Sequence, residues 1–194
     1  MTSVELMAKL MNDEDYLRRK KTREAELALR AAERGRNRQP VHDALAEVGI
    51  VETYDRATGK SIGDPKLFEV AISQLKSGAH DDDTRGWIAR LCATREAAPY
   101  WDELEELFRA APRGSRESDG LAAALSRCAC SVHVDQMMNI VKNPEFGTNR
   151  IYFLRPINRL GRARGKEFVS GYVDDPELGR EASAIMRGWS ANQG

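Results

Sequence analysis

The stretch Asp174-Asp175-Pro176-Glu177-Leu178-Gly179-Arg180-Glu181-Ala182 decides how this chain is read. The two aspartates offer cap oxygens to a helix start. The proline follows where a missing N–H removes no helix hydrogen bond. The pattern predicts a helix over Pro176 to Trp189 with Arg180 early in it. Working back toward the amino end, the same punctuation returns three times. It stands at Asp81-Asp82-Asp83 ahead of Arg85, at Ser118-Asp119, and at Gly147-Thr148 ahead of Arg150. Four residues beyond Arg85, Ser118, Arg150 and Arg180 lie Ala89, Ala122, Leu154 and Ala184. Small side chains at that point let a neighbouring helix approach closely.

Between these starts runs a second series in the same phase. Ile72, Leu104, Met137 and Val169 are separated by 32, 33 and 32 residues, by subtraction of their numbers. Leu75, Leu107, Ile140 and Tyr172 repeat the series three residues later. A period of this size signals stacked supersecondary units that share a continuous core. First helices are predicted over Lys66–Lys76, Tyr100–Ala110, Val132–Lys142 and Gly165–Asp174, each with an apolar stripe at helical spacing. Second helices are predicted over Asp83–Thr94, Ser118–Ala129, Thr148–Arg162 and Pro176–Trp189. Pro156 falls inside the third of these and is expected to kink it. Glu105 and Glu106 are expected on a solvated outer face. Trp189 is expected to pack on the final pair or to mark a partner contact, and Arg180, Glu181 and Arg187 to make that end of the stack polar.

The segment before Pro65 reads differently. Thr2 to about Arg38 is rich in helix formers, with Asn12-Asp13-Glu14-Asp15 as a capped start or a break. Arg18, Arg19, Lys20, Lys21 and Arg23 follow those acids, an order that suits the helix dipole. Glu24, Glu26 and Glu33 interrupt the basic run, so it is read as a solvated face with pairs such as Glu26 with Arg30. Gln39-Pro40 is expected to end this helix, and Val41–Val48 to form a short one stopped by Gly49. Ile50 to Asp64 reads as a connection with an extra helical turn near Tyr54. Two regions follow: residues 1–64, a helical cap and connector, and residues 65–194, four helix pairs.

An alternation of helix, short turn, aspartate-rich cap and second helix with an early arginine resembles HEAT repeats. Asp174 to Ala182 carries the likeness most clearly, being similar to the aspartate-proline-x-x-x-arginine start of a HEAT second helix. The resemblance covers Pro65 to Gly188. Arg85-Gly86-Trp87-Ile88-Ala89-Arg90 and Tyr100-Trp101-Asp102-Glu103-Leu104 look like a group of small bacterial HEAT-like proteins without an assigned enzyme activity. Ser118 departs from the pattern where the other units have arginine. The resemblance implies a right-handed α-solenoid, all-α, with the second helices along its concave side. Several HEAT-like proteins serve as immunity partners that bind and block a toxin, which sets one expectation for function.

Composition narrows the chemistry. The chain has 194 residues, with 30 Lys plus Arg against 30 Asp plus Glu, so net charge makes no case for nucleic acid. No apolar run approaches the roughly 20 residues that span a bilayer, and the first eleven residues do not form a secretory signal. Cys92, Cys128 and Cys130 cannot all pair, and Cys128-Ala-Cys130 is not a zinc spacing. They are expected as small buried residues on helix faces, in a reducing, cytoplasmic setting. His42, His80 and His133 are scattered and read as caps or surface residues. Asp81-Asp82-Asp83 reads as a cap beside Arg85. No phosphate loop, nucleophile elbow or paired-histidine motif is present. No catalytic residue, metal or cofactor is therefore expected.

One feature could carry function. Arg150, Tyr152, Arg155 and Arg159 lie in a stretch, Arg150 to Lys166, that has no acidic residue. With Arg85 and Arg90 they form a candidate partner-binding strip on the second helices. It would suit an acidic protein partner, a toxin in the immunity reading, or a phosphate backbone in the alternative of a HEAT-like protein related to DNA-repair glycosylases. The competing account pairs these arginines with acids of neighbouring units. An enzyme or a bilin-lyase-like role finds no cysteine or histidine constellation to support it.

Overall fold

The computed structural model describes residues 13–51, 54–55, 60–61 and 63–190, with residues 54–55, 60–61 and 189–190 described by backbone alone. The expectations for Thr2 to Asn12 and for the Trp189 side chain lie outside the described residues. The protein is all-α. Nine α-helices are found among the described residues: α1 (Glu14–Glu47), α2 (Pro65–Ser77), α3 (Asp82–Leu91), α4 (Trp101–Ala110), α5 (Arg116–Cys128), α6 (Val134–Lys142), α7 (Ile151–Leu160), α8 (Arg162–Ser170) and α9 (Gly179–Ser190). None of them is long and apolar enough to cross a membrane. The chain divides into two compact units, Met1–Pro40 and Val41–Gly194.

In the first unit Asp13 starts α1, its carboxylate accepting the Tyr16 N–H at 2.9 Å. Residues 17–37 are exposed throughout. Lys20 pairs with Glu24 at 3.9 Å, whereas the expected Glu26–Arg30 pair is not closed. The helix does not end at Gln39-Pro40, nor is Val41–Val48 a separate helix; α1 runs through Pro40 to Glu47. Proline's fixed φ lies within the helical range, so the substitution costs one hydrogen bond. Burial of Val41 and Leu45 in the next turns offsets that loss. Gly49 stops the chain's helical course as expected, at φ 87°.

Among the described residues of the connection after Gly49 there is no extra helical turn. Tyr54–Asp55 (β1) pairs antiparallel with Lys60–Ser61 (β2), Tyr54 opposite Ser61. Val51 and Tyr54 favour extended backbone, and one isolated turn would fix several dihedrals for a single hydrogen bond.

In the second unit the helices pair as their apolar stripes require. Leu67, Phe68, Ala71, Ile72 and Leu75 of α2, Leu104 and Phe108 of α4, and Met137, Ile140 and Val141 of α6 are buried in one core. Each first helix packs on its own second helix: α2 on α3, α4 on α5, α6 on α7, and α8 on α9. The second helices also pack in succession, α3 on α5, α5 on α7 and α7 on α9.

Several boundaries differ from the sequence expectation, each for a local reason. The cap of α5 is Ser115, whose hydroxyl accepts the Ser118 N–H at 3.0 Å, so that helix begins before Ser118. Thr148 to Arg150 is not α-helical; Pro144–Arg150 forms a 3-10 stretch broken at Gly147, φ 53° and ψ −140°. The fourth first helix starts at Arg162 and ends at Ser170, short of Asp174. Asp175 then accepts the N–H groups of Glu177 and Leu178, both at 2.9 Å, and shapes a turn that delays α9 to Gly179. Those hydrogen bonds, Leu178's first, hold the Asp175 carboxyl below the usual carboxylate range. Pro156 is buried inside α7, and the helix continues across it to Leu160.

Candidate functional site

Helices α3 and α5 approach each other closely, and two glycines make it possible. A Cβ on Gly120 would sit 2.4 Å from the Gly86 carbonyl oxygen. One on Gly86 would sit 2.5 Å from the Arg116 carbonyl oxygen. Backbone therefore lies against backbone, and the small Ala89, which lies beside Gly120, is fully buried. The sequence signalled small residues at Ala89 and Ala122 but gave no hint that Gly86 and Gly120 were the tighter pair.

With the helices this close, the early arginines reach across them. Arg85 Nε donates to Glu117 Oε2 at 2.7 Å, and Nη1 donates to the Leu75 carbonyl at 2.9 Å. Glu117 is buried, and the charge of Arg85 is strengthened chiefly by its hydrogen bond to that carboxylate. Arg150 repeats the arrangement one junction later. Its Nη1 donates to the Val141 carbonyl at 3.3 Å and its Nη2 to Glu177 at 2.5 Å. Each of these arginines thus closes the carboxyl end of its own first helix and holds an acid at the start of the next second helix. That satisfies orphan carbonyls and a sheltered carboxylate together. At Ser118, where arginine is missing, the Asn149 amide donates to the Ser118 hydroxyl at 2.6 Å and provides a neutral connection.

The remaining residues of the candidate strip are also engaged. Arg90 and Tyr152 converge on Asp119 from opposite sides of α5, the Tyr152 hydroxyl donating at 2.7 Å. Burial, then the Asp119 hydrogen bond, raises the Tyr152 phenol above its ordinary value. Arg155 Nε donates to Glu181 at 2.5 Å. The arrangement therefore favours the competing account for Arg85, Arg90, Arg150, Tyr152 and Arg155: they join neighbouring helices. Arg159 is the exception. It is exposed on the last turn of α7 and pairs with no acid among the described residues.

A second such arginine went unnoticed in the sequence. Arg127 lies nine residues beyond Ser118, as Arg159 lies nine beyond Arg150, and it too is exposed on the last turn of its helix. Arg180 and Arg187 of α9 are likewise exposed and reach no acid among the described residues. By contrast Glu117, Asp119 and Glu181, acids of these helices, are each held by an arginine. A lone arginine at a helix end carries no sequence signal; its lack of a partner emerges only after the others have found theirs.

Other polar groups are structural. Glu105 is buried rather than solvated, because Arg109 binds it at 2.6 Å and Gln136 of α6 at 3.2 Å; its neighbour Glu106 is exposed. Cys92 and Cys128 are buried as expected, and desolvation pushes each thiol up to about 12. Cys130 is not on a helix face but at a turn, its Sγ 3.4 Å from His133 Nδ1. His133 in turn stacks on Trp101 with ring centroids 4.1 Å apart, and burial lowers its imidazole below the usual value. Among the described residues no group of three or more His, Cys, Asp or Glu is placed to hold a metal ion. No family model, curated protein or solved structure matches this chain.

Proposed function

We propose that this protein is a non-catalytic, bacterial, cytoplasmic HEAT-like module, a right-handed α-solenoid of four helix pairs, that binds an acidic protein partner. Its most specific form is an immunity-type protein that binds and neutralises a toxin. The observation that carries the reading is the pair Arg127 and Arg159. They occupy matching positions on successive second helices, exposed and without an acidic neighbour among the described residues. A cation held on a rigid helix end and left unpaired is available for a charge-assisted bond to a partner carboxylate. Arg90 and Arg155, each tied to an acid, would flank that contact and restrain its geometry.

The test is affinity purification of the full chain from its native host beside the Arg127→Glu/Arg159→Glu double variant. The expected result is one stoichiometric protein, lost with the variant, whose toxicity on expression is relieved by the wild-type chain. Recovery of nucleic acid in place of protein would transfer the reading to a nucleic-acid-binding HEAT-like protein. Equal recovery by the double variant would remove Arg127 and Arg159 from the binding face.

A further inference from the structure

The second helices form a series in which one position is repeatedly covered. Ala89, Ala122 and Leu154, each four residues beyond the early Arg85, Ser118 and Arg150, are fully buried. Ala184, four beyond Arg180, is half-exposed on α9. The charge pattern stops at the same place. Arg85 and Arg150 each reach an acid at the start of the next second helix, Glu117 and Glu177, while Arg180 reaches none among the described residues.

Between α7 and α9 lies a groove lined by Ile151, Glu177, Arg180, Glu181, Ala184 and Arg187. Ile151 and Ala184 give it an apolar floor. Glu177 and Glu181 are already neutralised by Arg150 and Arg155, so Arg180 and Arg187 set the sign of the groove. These two arginines stand seven residues apart on one helix, roughly 10 Å along its axis. The opposite side of this helical segment, Leu178, Ala182 and Ile185, is buried in the core and holds the groove's wall in place.

We propose that this α9 face receives an amphipathic helix of a partner protein, whose first turn carries an acidic residue that pairs with Arg180. The occupant repeats what the earlier junctions show: an acid near the helix start, small or aliphatic residues over Ala184 and Ile151, and a second acid two turns on for Arg187. An acid in the first turn also suits the helix dipole, so such a segment arrives preorganised. The groove contains neither Arg127 nor Arg159, so it stands or falls separately from the function proposed above.

The test uses the full chain and a fluorescein-labelled peptide of residues 115–129, with Cys128→Ser. This is the helix that α3 itself receives, with Glu117 in its first turn. Saturable binding by anisotropy is expected, weakened at least tenfold by Arg180→Glu and by Ala184→Trp, and retained by Arg127→Glu/Arg159→Glu. A Glu117→Arg peptide is expected to regain affinity for the Arg180→Glu chain. Both α9 substitutions lie on exposed or half-exposed positions, and unchanged melting would show that they fold. Absence of saturable binding, or equal binding by Ala184→Trp, overturns the proposal. Concentration-dependent dimerisation of the wild-type chain that Ala184→Trp abolishes would give the groove to a second copy, and would also overturn it.

Discussion

Arg85 of α3 and Glu117 of α5 stand 32 residues apart in the chain, yet Arg85 Nε donates to Glu117 at 2.7 Å. Their side chains are only 17% and 6% exposed. Removing one partner would leave the other charge sheltered and unpaired, which costs about 3 kcal/mol at such sites. Glu117→Ala is expected to lower unfolding free energy by about that amount, and the Arg85→Ala/Glu117→Ala double variant by less than the sum of the single changes. Urea denaturation of the four chains reads the coupling. Additive losses would show that the pair contributes nothing as a pair.

Gly120→Ala should be disruptive although alanine favours helix. The new Cβ would meet the Gly86 carbonyl at 2.4 Å, and a backbone atom within a helix cannot swing aside. Overpacking of this kind costs about 1–3 kcal/mol, more than the roughly 1 kcal/mol gained in propensity. Gly35→Ala is the control: nothing lies within 4 Å of its Cβ position, so helicity of α1 should rise. Circular dichroism melts of both variants give the two opposite signs.

Arg162 carries φ 52°, a conformation that a side chain makes unfavourable, at the turn between α7 and α8. It is exposed and pairs with no acid among the described residues. Arg162→Gly should therefore stabilise the protein by about 1 kcal/mol, raising Tm by roughly 3 °C. A lower Tm would mean that the arginine makes a contact worth more than the strain it carries.

The three thiols should separate by reactivity. Cys92 and Cys128, pushed up to about 12 by burial, stay protonated and inert in the native chain, whereas half-buried Cys130 remains accessible. One equivalent of a thiol reagent should react quickly at pH 8, and all three only in denaturant. The same shift fixes a pH dependence. Between about 9.0, the ordinary thiol value, and about 12, the unfolded chain releases protons that the native chain keeps. The stabilisation is complete below that window and is lost as pH rises through it. Urea midpoints should fall from pH 9 to pH 11 less steeply in Cys92→Ala/Cys128→Ala.

How far the sequence could be read depended on range. Ile72, Leu104, Met137 and Val169 are all buried, because helical periodicity reports directly on which face is covered. The cap at Asp81 was legible for a similar reason, its carboxylate accepting the Thr84 N–H three residues away. What escaped were contacts set by distant partners. Glu105 looked solvated because Gln136, 31 residues on, is what shelters it. Gly86 and Gly120 read as weak helix formers until the helices are brought together. Arg85, Arg150 and Arg155 read as a binding strip because their acids lie about thirty residues downstream. The start of α8 was misplaced because a positive φ at a non-glycine residue has no sequence signature.

The connections between successive second helices differ in kind, and the solvent can tell them apart. Asn149 to Ser118 joins neutral groups, and dissolved ions leave it untouched. Arg85 with Glu117 is sheltered from them. At the last junction Arg155, whose side chain is 70% exposed, holds the more sheltered Glu181, and the buried Arg150 holds Glu177; Arg164 of α8 with Asp135 of α6 is exposed on both sides. At about 1 M ionic strength the screening length shrinks to about 3 Å, shorter than most exposed ion pairs can withstand. Added salt should thus grade these connections, weakening Arg164–Asp135 and Arg155–Glu181 while Arg85–Glu117 and Asn149–Ser118 hold, so that amide exchange rises unevenly along the chain.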